Sequence, residues 1–106
     1  MAIASINPAS GETIKTFQAL GEAEIEQKLQ HAVAAAVINR RRSFADRASR
    51  MRKAADVLDG RQKEFGRLIT LEMGKPIKAA VAEVTKCATV CRYYACLLYT
   101  SPSPRD

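Results

Sequence analysis

Long apolar runs are absent from this chain of 106 residues, and so are the short motifs that mark many catalytic and nucleotide-binding sites. No stretch approaches the roughly 18 apolar residues that a membrane-spanning helix requires. No GxGxxG motif, P-loop, HExxH motif or GxSxG motif occurs in the sequence. We therefore expect no association with a membrane, and we assign no catalytic, cofactor-binding or metal-binding residue.

A secretory signal is also missing from the start of the chain. Residues 1–6 read MAIASI and place no basic region before an apolar stretch. A secretory signal requires both parts in that order. We therefore expect a cytoplasmic protein.

Cysteine and histidine are scarce, with three cysteines and one histidine. Cys87 and Cys91 are four residues apart, which places both on one helix face without good disulfide geometry. Neither has a second pair or a nearby histidine to complete a zinc site. We expect both to be small buried apolar residues, and we expect His31 to lie at the surface or at its boundary.

Acidic residues are in the minority. The chain has 11 aspartates and glutamates and 17 lysines and arginines, which gives a formal net charge of +6. The densest basic run is 40–42. This charge raises the alternative of a stand-alone basic helical module that binds nucleic acid or an acidic partner. However, acidic residues interrupt the basic ones along several predicted helices, and no aromatic side chains accompany them as base-stacking platforms. Nucleic acid is therefore the less favoured partner.

The overall composition is that of a folded globular domain, with 47% apolar and 26% charged residues. Residues 3–6 and 12–17 are rich in residues that favour strands. Between them, Pro8 favours a turn and Gly11 can adopt the positive φ at which the chain reverses. This pattern predicts an N-terminal β-hairpin, which needs a further surface to pack on because two strands alone are marginally stable.

Helical periodicity predicts a mainly α fold of about four helices after the hairpin. Ser43 is a good N-cap for the second helix, Gly74 fits the left-handed residue that ends the third, and Pro76 suits the first turn of the fourth. Gly60 should end or kink the second helix. The expected bounds are about 21–38, 43–60, 62–73 and 77 to at least 95.

Apolar residues at helical spacing predict which faces are buried. The expected core residues are Ile25, Leu29, Ala32, Val33 and Ala36 in the first helix, Phe44, Ala48, Met51, Ala55 and Leu58 in the second, Phe65, Leu68, Ile69 and Leu71 in the third, and Ile77, Val81, Val84, Ala88, Cys91 and Ala95 in the fourth.

The last eleven residues, 96–106, differ in character from the rest. They read CLLYTSPSPRD and resemble the translation of a transposase adapter used to prepare DNA libraries. The alternative is a genuine tail rich in serine and proline. We expect residues 1–95 to be the native part of the chain and residues 96–106 to be a non-native or disordered tail.

An ordered series of motifs resembles the N-terminus of the NAD(P)-dependent aldehyde dehydrogenase superfamily. The motifs are NPASGE at 7–12, RRRSFADR at 40–47, MRKAADVL at 51–58, TLEMGKPIKAA at 70–80 and VCRYYA at 90–95. Each motif is weak alone, but their order and spacing together are specific. Within the superfamily, LEMGK at 71–75 and VCRYYA at 90–95 are most similar to bacterial succinate-semialdehyde dehydrogenases.

The resemblance implies that residues 1–95 begin a larger α/β enzyme with a Rossmann-type cofactor domain. That protein would oxidise an aldehyde, with succinate semialdehyde the expected substrate, using NAD or NADP and a cysteine nucleophile. The family's nucleophile, general base and cofactor-binding glycines lie downstream, and Cys87, Cys91 and Glu72 do not match them. We therefore expect this chain alone to be inactive and to bind no NAD or NADP, and we expect its parent to be a homo-oligomer.

Overall fold

The computed structural model describes residues 3–100, with side chains described for residues 3–97. Within this range the fold is mainly α, with an antiparallel hairpin at its start, as the sequence predicts. The elements are β1 (Ile3–Ile6), β2 (Thr13–Phe17), α1 (Glu22–Arg40), α2 (Phe44–Gly60), α3 (Gln62–Met73) and α4 (Ile77–Thr100).

The hairpin closes through the turn that the sequence predicts. Gly11 has a φ of 77°, a conformation that only glycine adopts at little cost. The Asn7 side chain accepts a hydrogen bond of 2.9 Å from the Ala9 N–H, which stabilises the turn locally. The strands pair from Ile3 opposite Phe17, with an irregularity before Ile6. The two strands form a sheet of their own.

The helix caps also follow their sequence signals. The Ser43 hydroxyl accepts from the Asp46 N–H at 3.1 Å, which satisfies one free donor at the start of α2. The Asp46 carboxylate pairs with Arg42 at 3.0 Å rather than completing a capping box. Gly74 ends α3 with a φ of 75°, and its N–H donates to the Thr70 carbonyl at 2.9 Å.

Helix α4 runs antiparallel to both α2 and α3. Residues near the C-terminal end of α4 contact α2, and residues nearer its N-terminal end contact α3. The partners are Asp56 for Arg92, Gln62 for Thr85 and Gly66 for Val81. Helices α2 and α3 therefore form two successive segments of one layer, and α4 packs across both.

Small side chains make up the buried core between these helices. The fully or nearly fully buried apolar residues are Ala48, Ala55, Ala80, Val84, Ala88 and Ala95. Gly66 of α3 is buried as well. Small residues allow two helix backbones to approach closely, because little side-chain volume separates them. The core therefore gains its stability from close backbone packing more than from large buried side chains.

Several large residues that the sequence predicts to be buried are exposed instead. These are Phe44, Leu68 and Ile77, together with the whole predicted stripe of α1, namely Ile25, Leu29, Ala32, Val33 and Ala36. Cys87 is exposed too, which corrects its predicted burial, whereas Cys91 is partly buried. The predicted stripes are present on the helices, but no other described element covers these parts of them.

Helix α4 does not end at Ala95. It continues to Thr100, five residues into the segment that the sequence analysis separates from the rest. Residues 101–106 lie outside the described part of the chain. The non-native origin of residues 96–106 stays a prediction.

Candidate functional site

The residues with nucleophilic or metal-binding chemistry do not converge. His31 is exposed on α1, and Cys87, Cys91 and Cys96 lie at different positions along α4 without a disulfide. Among the described residues, no three histidine, cysteine, aspartate or glutamate side chains meet in a group that could hold a metal ion. We find no helix within residues 3–100 that is long and apolar enough to cross a membrane.

Arginines at the junction of α1 and α2 make intramolecular contacts. Arg42 pairs with Asp46, and the Arg47 side chain donates to the carbonyls of Asn39 at 3.0 Å and Arg40 at 3.2 Å. These carbonyls belong to the last turn of α1, where acceptors lack helical partners. Arg42 and Arg47 thus help to join two helices, and their contacts give no support to the alternative of a nucleic-acid-binding module.

The guanidinium of Arg92 connects α4 to the end of α2. It contacts Asp56 at 3.1 Å and Asp59 at 2.7 Å, one through each terminal nitrogen. These hydrogen bonds, first the one to Asp59, raise the pKa of Arg92. The Arg92 side chain is 44% exposed, so solvent screens these ion pairs and their contribution to stability is small.

The hairpin packs on the C-terminal end of α3. The Ser5 hydroxyl donates to the Glu72 carboxylate at 2.5 Å. A side chain added at Gly74 would meet the Pro8 ring at 3.1 Å, so the turn lies directly against the left-handed residue that ends α3. Ile3, Ile6, Ile14 and Phe17 nevertheless stay 43–52% exposed. The contact with α3 therefore provides only part of the packing surface that the hairpin is expected to need.

A shallow groove of about 600 Å³ runs between α3 and the start of α4. Its lining is largely apolar, with two cationic side chains at the edge. The residues are Lys63, Arg67, Thr70, Leu71, Ile77 and Val81. The Thr70 hydroxyl is buried without a hydrogen-bond partner among the described residues. The described lining of the groove places no cysteine, histidine or carboxylate side chain in it.

Acid is expected to weaken the contact between α4 and the short segment that joins it to α3. Lys75 donates to Glu83 at 2.5 Å, and this hydrogen bond holds the pKa of Glu83 below its ordinary value of 4.5. Because the folded pKa is the lower one, the contribution to stability is complete above the unfolded value and is lost as pH falls through the folded value. Both side chains are substantially exposed, so the effect is small and should shrink at about 1 M salt.

Urea denaturation between about pH 6 and pH 3 measures this effect. In Glu83→Gln, the unfolding free energy should fall less steeply with decreasing pH below about pH 5 than in the original chain. Lys75→Gln serves as the matched control, because it removes the other half of the same pair. Unchanged pH slopes in both variants would show that the pair does not contribute.

Nearly the whole chain matches one protein family. The family model for the aldehyde dehydrogenase family matches residues 1–102. The chain therefore belongs to the aldehyde dehydrogenase family, which confirms the resemblance drawn from the motifs.

Similar curated proteins are named as succinate-semialdehyde dehydrogenases. One from Synechocystis, named "Probable succinate-semialdehyde dehydrogenase (NADP(+))", is 52% identical over 95 residues. "Succinate-semialdehyde dehydrogenase (NADP(+)) 1" from Mycobacterium tuberculosis is 44% identical over 95 residues. In both cases the match covers 90% of this chain and 21% of the relative. The chain thus spans about a fifth of the length of these relatives.

Solved structures share the fold over the same part. An NADP-dependent glyceraldehyde-3-phosphate dehydrogenase from Bacillus halodurans, complexed with NADP, superposes with a TM-score of 0.80 at 33% identity. An NADP-dependent enzyme from E. coli gives a TM-score of 0.80 at 28% identity. Each match covers 90% of this chain and 20% of the solved chain.

Proposed function

We propose that this chain is the N-terminal part of an enzyme that oxidises succinate semialdehyde to succinate with NADP⁺. The observation that carries the proposal is the 52% identity over 95 residues to a relative whose name states that substrate and that cofactor. The 44% identity to the mycobacterial enzymes supports the same substrate and cofactor. The motifs are compatible with either NAD or NADP, and the names of these relatives favour NADP.

The proposed reaction consumes an aldehyde, water and NADP⁺ and yields a carboxylic acid, NADPH and a proton. NADP⁺ supplies the acceptor for the hydride that leaves the substrate carbon. We assign the nucleophile and the general base to the part of the protein beyond this chain, as the family resemblance implies. The described residues build a scaffold, in which α4 packs on α2 and α3 and the hairpin contacts α3. We propose a cytoplasmic, homo-oligomeric parent enzyme.

The test is to recover the longer gene from its source DNA and assay the encoded protein. Purified enzyme should form NADPH with succinate semialdehyde at a kcat/KM at least about tenfold above that for propanal and glyceraldehyde 3-phosphate. The kcat/KM with NADP⁺ should exceed the kcat/KM with NAD⁺. A clear preference for glyceraldehyde 3-phosphate would contradict the substrate, and a stop codon directly after the native sequence would contradict the parent enzyme itself.

A further inference from the structure

Cys87 and Cys91 form a pair of thiols on one side of α4. Cys87 is exposed, Cys91 is partly buried, and both are free cysteines. Residues four apart on a helix have Cβ atoms about 5–6 Å from each other, whereas a disulfide requires about 3.5–4.5 Å. The helix therefore holds the two thiols close together and disfavours a direct bond between them. A single atom that bonds to both sulfurs would span the larger gap.

The backbone around this thiol pair is fixed by the packing of α4. Ala88, between the two cysteines, and Ala95, one turn after Cys91, are both fully buried. Arg92 also contacts two aspartates of α2. Unwinding α4 here would break these contacts, so the spacing of the thiols is set before any ligand arrives. A ligand that needs this spacing therefore binds with little loss of conformational entropy in the protein.

The number of donors identifies the class of ligand. Among the residues that the structure describes, no third cysteine, histidine or carboxylate side chain joins the thiol pair in a possible metal site. A structural zinc ion takes four ligands, so two thiols are too few to hold it. Cys96 is five residues from Cys91, which places it about 140° away around the helix axis. Because sulfur ligands select soft centres, the pair suits a soft centre that brings its own third substituent and needs only two sulfurs.

We propose that Cys87 and Cys91 form a binding site for trivalent organoarsenic compounds. In such a compound the arsenic atom carries one carbon substituent and an oxide oxygen. Each thiol forms one As–S bond, the bonds from arsenic to oxygen break, and the oxygen leaves as water with the two thiol protons. Arsenic stays trivalent and both sulfurs keep their oxidation state, so the step needs no oxidant or reductant. The product is a ring that arsenic closes across one turn of α4.

The second As–S bond makes this site different from a single reactive cysteine. Once one thiol has bonded to arsenic, the other thiol is held beside it at a high effective concentration. An arsenic atom on a single thiol exchanges with any thiol in solution, whereas release from the pair requires both bonds to break. The adduct on Cys87 and Cys91 should therefore resist competition by a monothiol.

The reduced 106-residue chain and phenylarsine oxide, as the probe, provide the test. The intact mass should increase by one phenylarsine oxide less one water, and this adduct should persist in excess 2-mercaptoethanol. Trypsin cleaves after Lys86 and Arg92, so both cysteines of the pair fall on one peptide, 87–92, and Cys96 falls on another. Mass spectrometry of the digest should find the arsenic on the peptide 87–92.

Cys87→Ser is the main variant, because Cys87 is exposed and its replacement leaves the core unchanged. This variant should raise the apparent Kd for phenylarsine oxide by at least about 100-fold, since only a single thiol of the pair remains. Cys96→Ser is the matched control, because it removes another exposed thiol from the same helix. Its apparent Kd should stay within about threefold of the original value, since both thiols of the pair remain.

A shifted pair tests whether the helix builds the site. The variant Cys91→Ser/Thr89→Cys moves the second thiol to an exposed position two residues from Cys87, about 160° away around α4. In the folded chain the shifted pair should bind phenylarsine oxide as weakly as Cys87→Ser does. In guanidinium chloride, where no helix separates the thiols, it should bind as well as the original pair. Circular dichroism checks that the folded variants have equal helicity.

The proposal is wrong if no adduct survives 2-mercaptoethanol, or if Cys87→Ser retains the original affinity. A loss of affinity in Cys96→Ser would also overturn it, because arsenic would then bond to Cys96. Equal affinity of the shifted and original pairs in the folded chain would show that closeness in sequence, and not the geometry of α4, brings the thiols together.

Discussion

The 106-residue chain is expected to form no NADPH from succinate semialdehyde and NADP⁺, while the full-length protein turns over at roughly 1–10³ per second. The physical reason is that the reaction needs a positioned nucleophile, a base and a hydride acceptor. The family resemblance assigns all three to segments downstream of this chain. Cys87 and Cys91 are four residues apart on α4, and Glu72 is hydrogen-bonded to Ser5 of the hairpin.

Absorbance of NADPH during incubation with the purified chain provides the measurement. The full-length protein at equal molar concentration is the positive control. Because NADPH formation requires a hydride donor and a bound acceptor, any slow thiol addition to the aldehyde would leave the NADPH signal flat. Sustained turnover by the chain alone would place catalytic residues within it and overturn the division proposed here.

Replacement of Gly66 by alanine is expected to separate α3 from α4. A Cβ at this position would lie 2.7 Å from the Val81 Cγ2 atom and 3.1 Å from the Val81 backbone nitrogen. Overpacking of this kind typically costs about 1–3 kcal/mol, which exceeds the gain of roughly 0.5–1 kcal/mol that alanine brings to a helix interior. We expect a net loss of about 1–2 kcal/mol in unfolding free energy, or a decrease in Tm of about 5–15 °C.

Gly60 provides the matched control within the same chain. A Cβ at Gly60 would have no neighbour within 4 Å, and its backbone is not in the positive-φ region. Gly60→Ala should therefore raise the unfolding free energy by about 0.5 kcal/mol, because only the helix-propensity term acts there. Thermal unfolding followed by circular dichroism distinguishes the two variants. Equal stabilisation by both substitutions would show that α3 and α4 do not approach as closely at Gly66 as described.

A double substitution locates the cause of the loss. Val81→Ala removes the methyl group that the new Cβ at residue 66 would meet first. The combined Gly66→Ala/Val81→Ala variant should then be more stable than the sum of the two single effects predicts. If the losses of unfolding free energy in the two single variants simply add, the contact with Val81 is not the cause of the destabilisation.

The sequence alone predicted the local structure well wherever a single residue governs it. The signals at Ser43 and Gly74 gave the start of α2 and the end of α3, and α3 has the predicted bounds of residues 62–73. Gly11 adopts the positive φ expected for the hairpin turn. These features depend on hydrogen bonds and sterics between near neighbours along the chain, so nearby sequence contains the necessary information.

The burial of side chains was predicted less well, and the two glycines show why. The sequence drew attention to Gly60, which lies in open space, and not to Gly66, which contacts Val81 across the interface with α4. In the sequence, a glycine inside a helix has the same pattern of neighbours whether its Cα faces solvent or another helix. Only the position of the partner helix decides whether the missing side chain matters.

The sequence by itself determined the elements, their caps and the family, because periodicity, capping residues and motif order are all properties of the chain read in order. The tertiary structure decided which apolar faces are covered: Ala48 and Ala88 are buried between helices, while Phe44 and Leu29 are exposed. Hydrophobic spacing identifies a face that favours burial but not the surface that meets it. That second surface comes from distant segments or other chains, and only three-dimensional packing identifies it.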